Sequence, residues 1–191
     1  MTLAARLDPH IKRYTFEEFH RLIESGQVEE SNQLELIDGI LVNRMGKNEK
    51  HTACERRLLR LLMKGIRDQA TLQSQCPIRI PPNHQPEPDF AIIRSQPDDY
   101  LSGHPQPNDI YLVIEVADSS LAYDQGVKLE LYAKAGIPEY WIFNLQDNCL
   151  EVYSQPQVLG TYEQKDIFTP ENTIGIPGIS GSELRLDKVF S

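Results

Sequence analysis

Two apolar runs, YLVIEVA at 111–117 and EYWIFN at 139–144, bracket the amphipathic stretch SLAYDQGVKLELYAKAG at 120–136. The first run has the near-continuous apolar character of a strand buried on both faces. The middle stretch predicts a helix that starts at Ser120 and ends at Gly136, with Pro138 two residues beyond. Strand, helix and strand within about 34 residues make a βαβ unit. The two strands should then lie parallel in one sheet, joined by a right-handed crossover. That unit places the chain in the α/β (α+β) class.

The remaining segments read as additions to this unit. TFEEFHRLIES (15–25) predicts a helix opened by Thr15, with Glu18 at capping-box spacing, and closed by Gly26. QLELIDGILVNRM (33–45) predicts two short strands joined at Asp38-Gly39, a dipeptide suited to a tight hairpin turn. A long helix is expected from about Asn48 to Asp68. At 100° per residue Leu58, Leu59, Leu62 and Ile66 share one side of it, and Arg56, Arg60, Lys64 and Arg67 share another. His51 falls near the apolar side and should point inward. Residues 77–107 hold eight of the thirteen prolines, spread over a short strand (CPIRI), the stretch PEPDFAII and a loop at 95–109. The tail alternates strand-like pieces (CLEVYS, QVLGTYE) with turns and ends in GSELRLDKVF.

With 191 residues, 40% hydrophobic and 25% charged, the chain suits one compact domain spanning 1–191. No apolar run approaches the roughly 18 residues of a membrane span, and MTLAARLDPH lacks the apolar centre of a secretory signal. Cys54, Cys76 and Cys149 are odd in number and far apart, which fits a reducing cytoplasm better than a disulfide framework or a zinc site. The net charge of -9 disfavours a nucleic-acid partner at first sight. Its distribution is uneven, however: from Arg44 to Arg67 there are eight cations against two acids. The local field on that segment is therefore positive.

Three residues carry the chemistry. Asp89 sits at the mouth of the apolar run Phe90–Ile93, Glu115 lies inside the central strand, and Lys128 lies on the following helix. A lone buried carboxylate is forced neutral or costs stability, and a bound divalent cation would relieve that. Two or three converging carboxylates suit Mg²⁺, which takes few protein ligands and keeps its waters. Each residue also has an ordinary reading. Asp89 after a proline is a common turn residue, and Glu115 could be a partnered core glutamate. Asp124 and Lys128 have the i, i+4 spacing of an exposed ion pair, although Leu121, Tyr132 and Ala135 on the same face point to packing on the sheet.

The arrangement EPDFAII … YLVIEVADSS … YDQGVKLELYAKAGIPEYWIFN resembles the Uma-type restriction endonuclease family, a branch of the PD-(D/E)XK nuclease superfamily. LELIDGILVNRMGKNEKH resembles that family's opening hairpin and the histidine after it. The resemblance runs from about Thr15 to Asn144 and implies a restriction-endonuclease-like core, a mixed β-sheet flanked by helices. By position it implies Asp89 and Glu115 as metal ligands, completed by the backbone carbonyl of Val116. Glu35 matches the acid from the N-terminal region, and His51 matches the family's histidine. One departure concerns the (D/E)XK lysine, two residues after the acid, where this chain has Ala117. Lys128 is the substitute the resemblance offers. Ser119 also stands where many relatives carry proline.

These residues imply a Mg²⁺- or Mn²⁺-dependent endonuclease acting on nucleic acid, DNA in the first instance. Glu35, His51, Asp89, Glu115 and Lys128 would form the catalytic site. Arg56, Arg60, Lys64 and Arg67 would contact the nucleic-acid backbone, or form a solvated helix face. A homodimer is expected because two-fold dimers are the commonest assembly. Two rival readings remain: a catalytically quiet dimeric interaction or regulatory module of the same fold, and a hydrolase of small phosphoesters.

Overall fold

Side chains alternate across a β-strand, and that alternation sets the layers of this protein. The computed structural model describes residues 10–28 and 34–190, so Gln33 of the expected hairpin lies outside the described residues. Strands β5 (Ile110–Ala117) and β6 (Glu139–Asn144) pair in parallel, with Val113 opposite Tyr140 and Ala117 opposite Asn144. Antiparallel partners extend the pair on both sides. β3 (Thr71–Ser74) and β4 (Phe90–Ile93) add to β5, and β7 (Cys149–Gln157) and β8 (Thr161–Phe168) add to β6. The result is a six-stranded mixed sheet in the order β3-β4-β5-β6-β7-β8.

Each face of the sheet has its own core. Phe90, Ile92, Leu112, Ile114, Val116, Trp141 and Phe143 pack with Leu58, Leu62 and Ile66 of helix α2 (Glu49–Ile66). Ile176, Leu184, Leu186 and Val189 of the C-terminal segment close the same core. Ala91, Ile93, Val113, Ala117, Tyr140 and Ile142 form the opposite face, beneath Leu131 and Tyr132. Glu115 lies between Val113 and Ala117, so it belongs to this second face. The β4–β5 register places Phe90 opposite Ile114, and one step further along it Asp89 reaches Glu115.

Local chemistry explains the smaller elements. Helix α1 (Phe16–Glu24) starts at a reciprocal cap, in which the Thr15 N–H donates to Glu18 and the Glu18 N–H donates to the Thr15 hydroxyl. Phe16 and Phe19 bury against Leu36 of the hairpin β1 (Leu34–Ile37) and β2 (Ile40–Asn43). Asp38 and Gly39 turn that hairpin with φ of 52° and 75°. A side chain at position 39 would also meet Arg13 Cβ at 2.9 Å and the Tyr14 carbonyl at 3.0 Å, so glycine is required there twice over. No helix among the described residues is long and apolar enough to cross a membrane.

The structure differs from the sequence reading at several points. The helix after β5 is not uniform: α3 (Leu121–Tyr123) opens into a π-helical turn over Asp124–Lys128 before α4 (Leu129–Lys134). CPIRI is not a strand. Pro77 has no N–H to give a ladder, and a single Ile80–His84 bridge is the pairing of that stretch. The sheet edge is instead the polar TLQS at 71–74, which pairs with β4. QVLGTYE straddles the turn between β7 and β8. On α2, Leu59 sits at the margin of the buried stripe and is 38% exposed, while Glu55 takes an inward position.

Leu62→Ala should lower the unfolding free energy by about 2–5 kcal/mol. Leu59→Ala should stay within about 0.5 kcal/mol of the parent. Urea denaturation midpoints measure both, and equal shifts would contradict this division of the helix.

Candidate active site

The C-terminal half of β5 meets four other segments at one point. The hairpin brings Glu35, and the residues before and at the start of α2 bring Arg44, Lys47 and His51. The entrance to β4 brings Glu87 and Asp89, and the π-helical turn brings Asp124 and Lys128. Together with Glu115 and Val116 they line a cleft whose cavity measures about 90 Å³. Two backbone bonds dock the hairpin here, Leu36 N–H to Gln85 O and Gln85 N–H to Leu36 O. Glu35 then accepts from the Glu87 N–H at 2.8 Å.

Lys128 is the centre of the deep part. Only 3% exposed, its ammonium donates to Glu35 at 2.7 Å and to Glu115 at 3.2 Å. Tyr132 donates to the same Glu115 oxygen at 3.0 Å, and the Asp89 N–H reaches the other at 3.3 Å. Asp124 and Lys128 are therefore not the exposed pair that their spacing allows. Both are buried, and the Asp124 carboxylate accepts from the Ser120 hydroxyl at 2.6 Å. In the π-helical turn the chain bonds from Asp124 O to Leu129 N–H, one residue wider than an α-turn. Ala117, at the (D/E)XK lysine position, is fully buried on the same face as Glu115.

Asp89 faces the other way. One oxygen accepts from the Val116 N–H at 2.8 Å and the other from Lys47 at 2.9 Å. His51 Nε2 lies 3.4 Å from Asp89 and 3.5 Å from Glu55. The start of α2 is fixed by Asn48, whose side chain caps the His51 N–H at 2.9 Å and donates to Asp118 at 2.6 Å.

These surroundings split the titrating groups. Burial pushes Glu115 up to about 8 against the pull of Lys128. It pushes Asp124 up to about 7 against the hydrogen bond from Ser120 and the charge of Lys128. Asp89 is also buried, but His51, Lys47 and the Val116 N–H outweigh that and hold it well below the usual carboxylate range. His51 is opposed by burial, yet Asp89 and Glu55 raise it to about 9. Lys128 is likewise opposed by burial, and Glu115 and Glu35 hold it above its ordinary value.

The structure thus brings Glu35, His51, Asp89, Glu115, Val116 and Lys128 to one cleft. Arg56, Arg60 and Lys64 on α2 and Arg67 at its C-cap lie apart from it, exposed and without an ion pair to any described residue. Sequence reading left out Lys47 and Glu55. The i, i+4 spacing of His51 and Glu55 was a usable sign, because it puts both on one helix face. Lys47 had none, since it precedes the helix and meets Glu55 and Asp89 only through the fold.

The donors fit a hard divalent cation. Five acids line the cleft (Glu35, Glu87, Asp89, Glu115, Asp124), with Arg44, Lys47, His51 and Lys128 as its basic groups. Burial favours the protonated forms of Glu115 and Asp124, and His51 carries a proton, so near neutral pH the bases of the cleft offset its ionised acids.

Comparison with known proteins bears on the family and the fold. The family model described as "Uma2: Putative restriction endonuclease" matches residues 16–187. No curated protein matches the chain. Among solved structures, a "putative nuclease belonging to DUF820" from Anabaena variabilis ATCC 29413 superposes with a TM-score of 0.71. It is 17% identical, over 92% of this chain and 97% of that one, which establishes a common fold.

Two outcomes follow from the deep cluster. Lys128→Met should cost about 3–5 kcal/mol by leaving Glu35 and Glu115 without a counter-charge, with partial recovery on adding Glu115→Gln. Chemical denaturation checks both. In chelator, the groups with raised pKa values bind more protons folded than unfolded. Stability should therefore fall as pH rises from about 5 towards 9, through Asp124, Glu115 and then His51. Asp89, with a lowered pKa, contributes stability that is lost only in acid below its ordinary value near about 4. Calorimetric midpoints should show a shallower decline for Glu115→Gln than for the parent; parallel curves would contradict the pKa raised by burial.

Proposed function

This chain belongs to the Uma2 family, and from that premise we propose that it is a metal-dependent endonuclease that hydrolyses phosphodiester bonds in DNA. The observation that carries the proposal is the convergence of Asp89 and Glu115, from adjacent strands, on one cleft with Glu35 and Lys128 beside them. Asp89 and Glu115, with the Val116 carbonyl, would hold Mg²⁺ or Mn²⁺. Such an ion would lower the pKa of a bound water and polarise a phosphoryl oxygen.

The chain's own residues do the rest. Asp89 is ionised and braced by the Val116 N–H, so it presents a fixed anionic donor. Glu115 is held in place by Lys128, Tyr132 and the Asp89 N–H. Lys128 replaces the charge that Ala117 cannot supply and faces the cleft from its floor, where charge develops on the phosphate. Glu35 fixes the direction of that ammonium. Arg56, Arg60, Lys64 and Arg67 would meet the DNA backbone, in keeping with their exposure. A two-fold dimer would present one cleft to each strand.

Cleavage of supercoiled plasmid with Mg²⁺ or Mn²⁺ tests this reading. Asp89→Asn and Glu115→Gln, both folded by circular dichroism, should lose about 100-fold or more in rate. Activity equal to the parent in both would remove the site assignment. Folded parent protein that cleaves neither plasmid nor nucleotide phosphoesters would favour the interaction module. Alanine at each of Arg56 and Arg60 should reduce the salt slope of DNA binding by about 1, without changing sequence preference.

A further inference from the structure

Asp89 has a second side, facing α2. His51 and Glu55 stand one helical turn apart and project together towards it, with His51 Nε2 3.5 Å from Glu55 and 3.4 Å from Asp89. His51 is 9% exposed, and its Nε2 is buried without a hydrogen-bond partner. That nitrogen is within ion-pair range of both carboxylates but aligned for a hydrogen bond to neither, so a metal ion bound there would take the place of its proton. One donor atom from each of the three residues lies within 4.8 Å of the others. Donors held about 2.1 Å from a common ion stand about 3.0–3.4 Å apart, so His51 is within a small adjustment of ligation.

The centre of this group is already held by a cation. Lys47 reaches Glu55 at 2.5 Å and Asp89 at 2.9 Å, from a side chain 25% exposed. Gln75 steadies Glu55 by donating to it at 2.9 Å. A single-charged group on a flexible stem therefore balances donors that a divalent ion would satisfy more fully, His51 included.

We propose that His51, Glu55 and Asp89 form a second site, for a divalent transition-metal ion, and that Lys47 is the resident counter-ion which the metal displaces. The site shares Asp89 with the all-oxygen position of Asp89, Glu115 and Val116, and it rests on the reading of the cleft as metal-binding. Its imidazole nitrogen favours Mn²⁺, Co²⁺ or Zn²⁺ over Mg²⁺. Displacement frees the Lys47 ammonium at the cleft mouth, where a substrate phosphate would approach.

Calorimetric titration of the full chain with Mn²⁺, paired with pulsed EPR of the bound ion, tests the proposal. The parent should show imidazole-nitrogen coupling that His51→Gln removes. Glu55→Gln should weaken the nitrogen-coupled site at least about tenfold. Lys47→Met should tighten it about tenfold, because no ammonium has to leave. That direction matters, since a merely structural Lys47 would not improve metal binding when removed. Glu115→Gln separates the two readings by abolishing the oxygen-only position while the nitrogen signal persists. A single ion lost with Glu115→Gln, indifferent to Glu55→Gln and free of nitrogen coupling, would overturn the second site alone. No Mn²⁺ or Mg²⁺ binding at all would overturn both. Unchanged or weaker Mn²⁺ binding in Lys47→Met would overturn the role given to that lysine.

Discussion

The ammonium of Lys128 joins three parts of the chain that nothing else holds together so deeply. Glu35 comes from the hairpin, Glu115 from the central strand, and Lys128 from the helix above them. Removing all three from water is expensive, and a well-packed apolar trio would serve stability as well or better. What the ion cluster provides is position. The hairpin is otherwise fastened near here by backbone bonds to Gln85 and a carboxylate bond to the Glu87 N–H. Pairing Glu35 with Lys128 sets where that hairpin sits over the sheet, and so sets the wall of the cleft.

Asp89 and Glu115 are neighbours by register, but they experience opposite environments. Cations on the α2 side keep Asp89 ionised, whereas Glu115 lies in the core with one shared ammonium, and burial favours its protonated form. Adjacent carboxyl groups whose surroundings push their pKa values apart are a pattern that functional sites share.

Much of this was legible in the sequence where the controlling chemistry is local. The Thr15–Glu18 cap, the Asp38-Gly39 turn and the βαβ unit each depend on a few adjacent residues, and each appears as read. The juxtaposition of Asp89 with Glu115 was within reach because strand periodicity fixes which face a side chain takes. β3 escaped because TLQS is a half-buried edge with little apolar signal. CPIRI misled because its apolar residues are real but its proline breaks the ladder. Leu59 left its expected place because a hydrophobic stripe has margins, and the inward position of Glu55 makes sense only once Lys47 and Gln75 are seen beside it. The π-helical turn left no mark in the sequence beyond Gly126.

A lysine carried on the helix has its charge placed by other contacts than one carried on the strand. A residue two places after Glu115 rises from the sheet itself, and there the chain has Ala117, fully buried in the core of that face. A helix-borne lysine comes from above, so its placement depends on how the helix packs. Tyr132 and Tyr140 set that packing, their rings 4.9 Å apart at a steep angle. Tyr132 bonds the Glu115 carboxylate and Tyr140 bonds the Asp124 carbonyl inside the widened turn. The two tyrosines therefore link the motif acid and the lysine through the same contact. Any shift of the helix on the sheet would move the ammonium and its carboxylate partners together, so the geometry of the charge cluster is a property of the interface between layers.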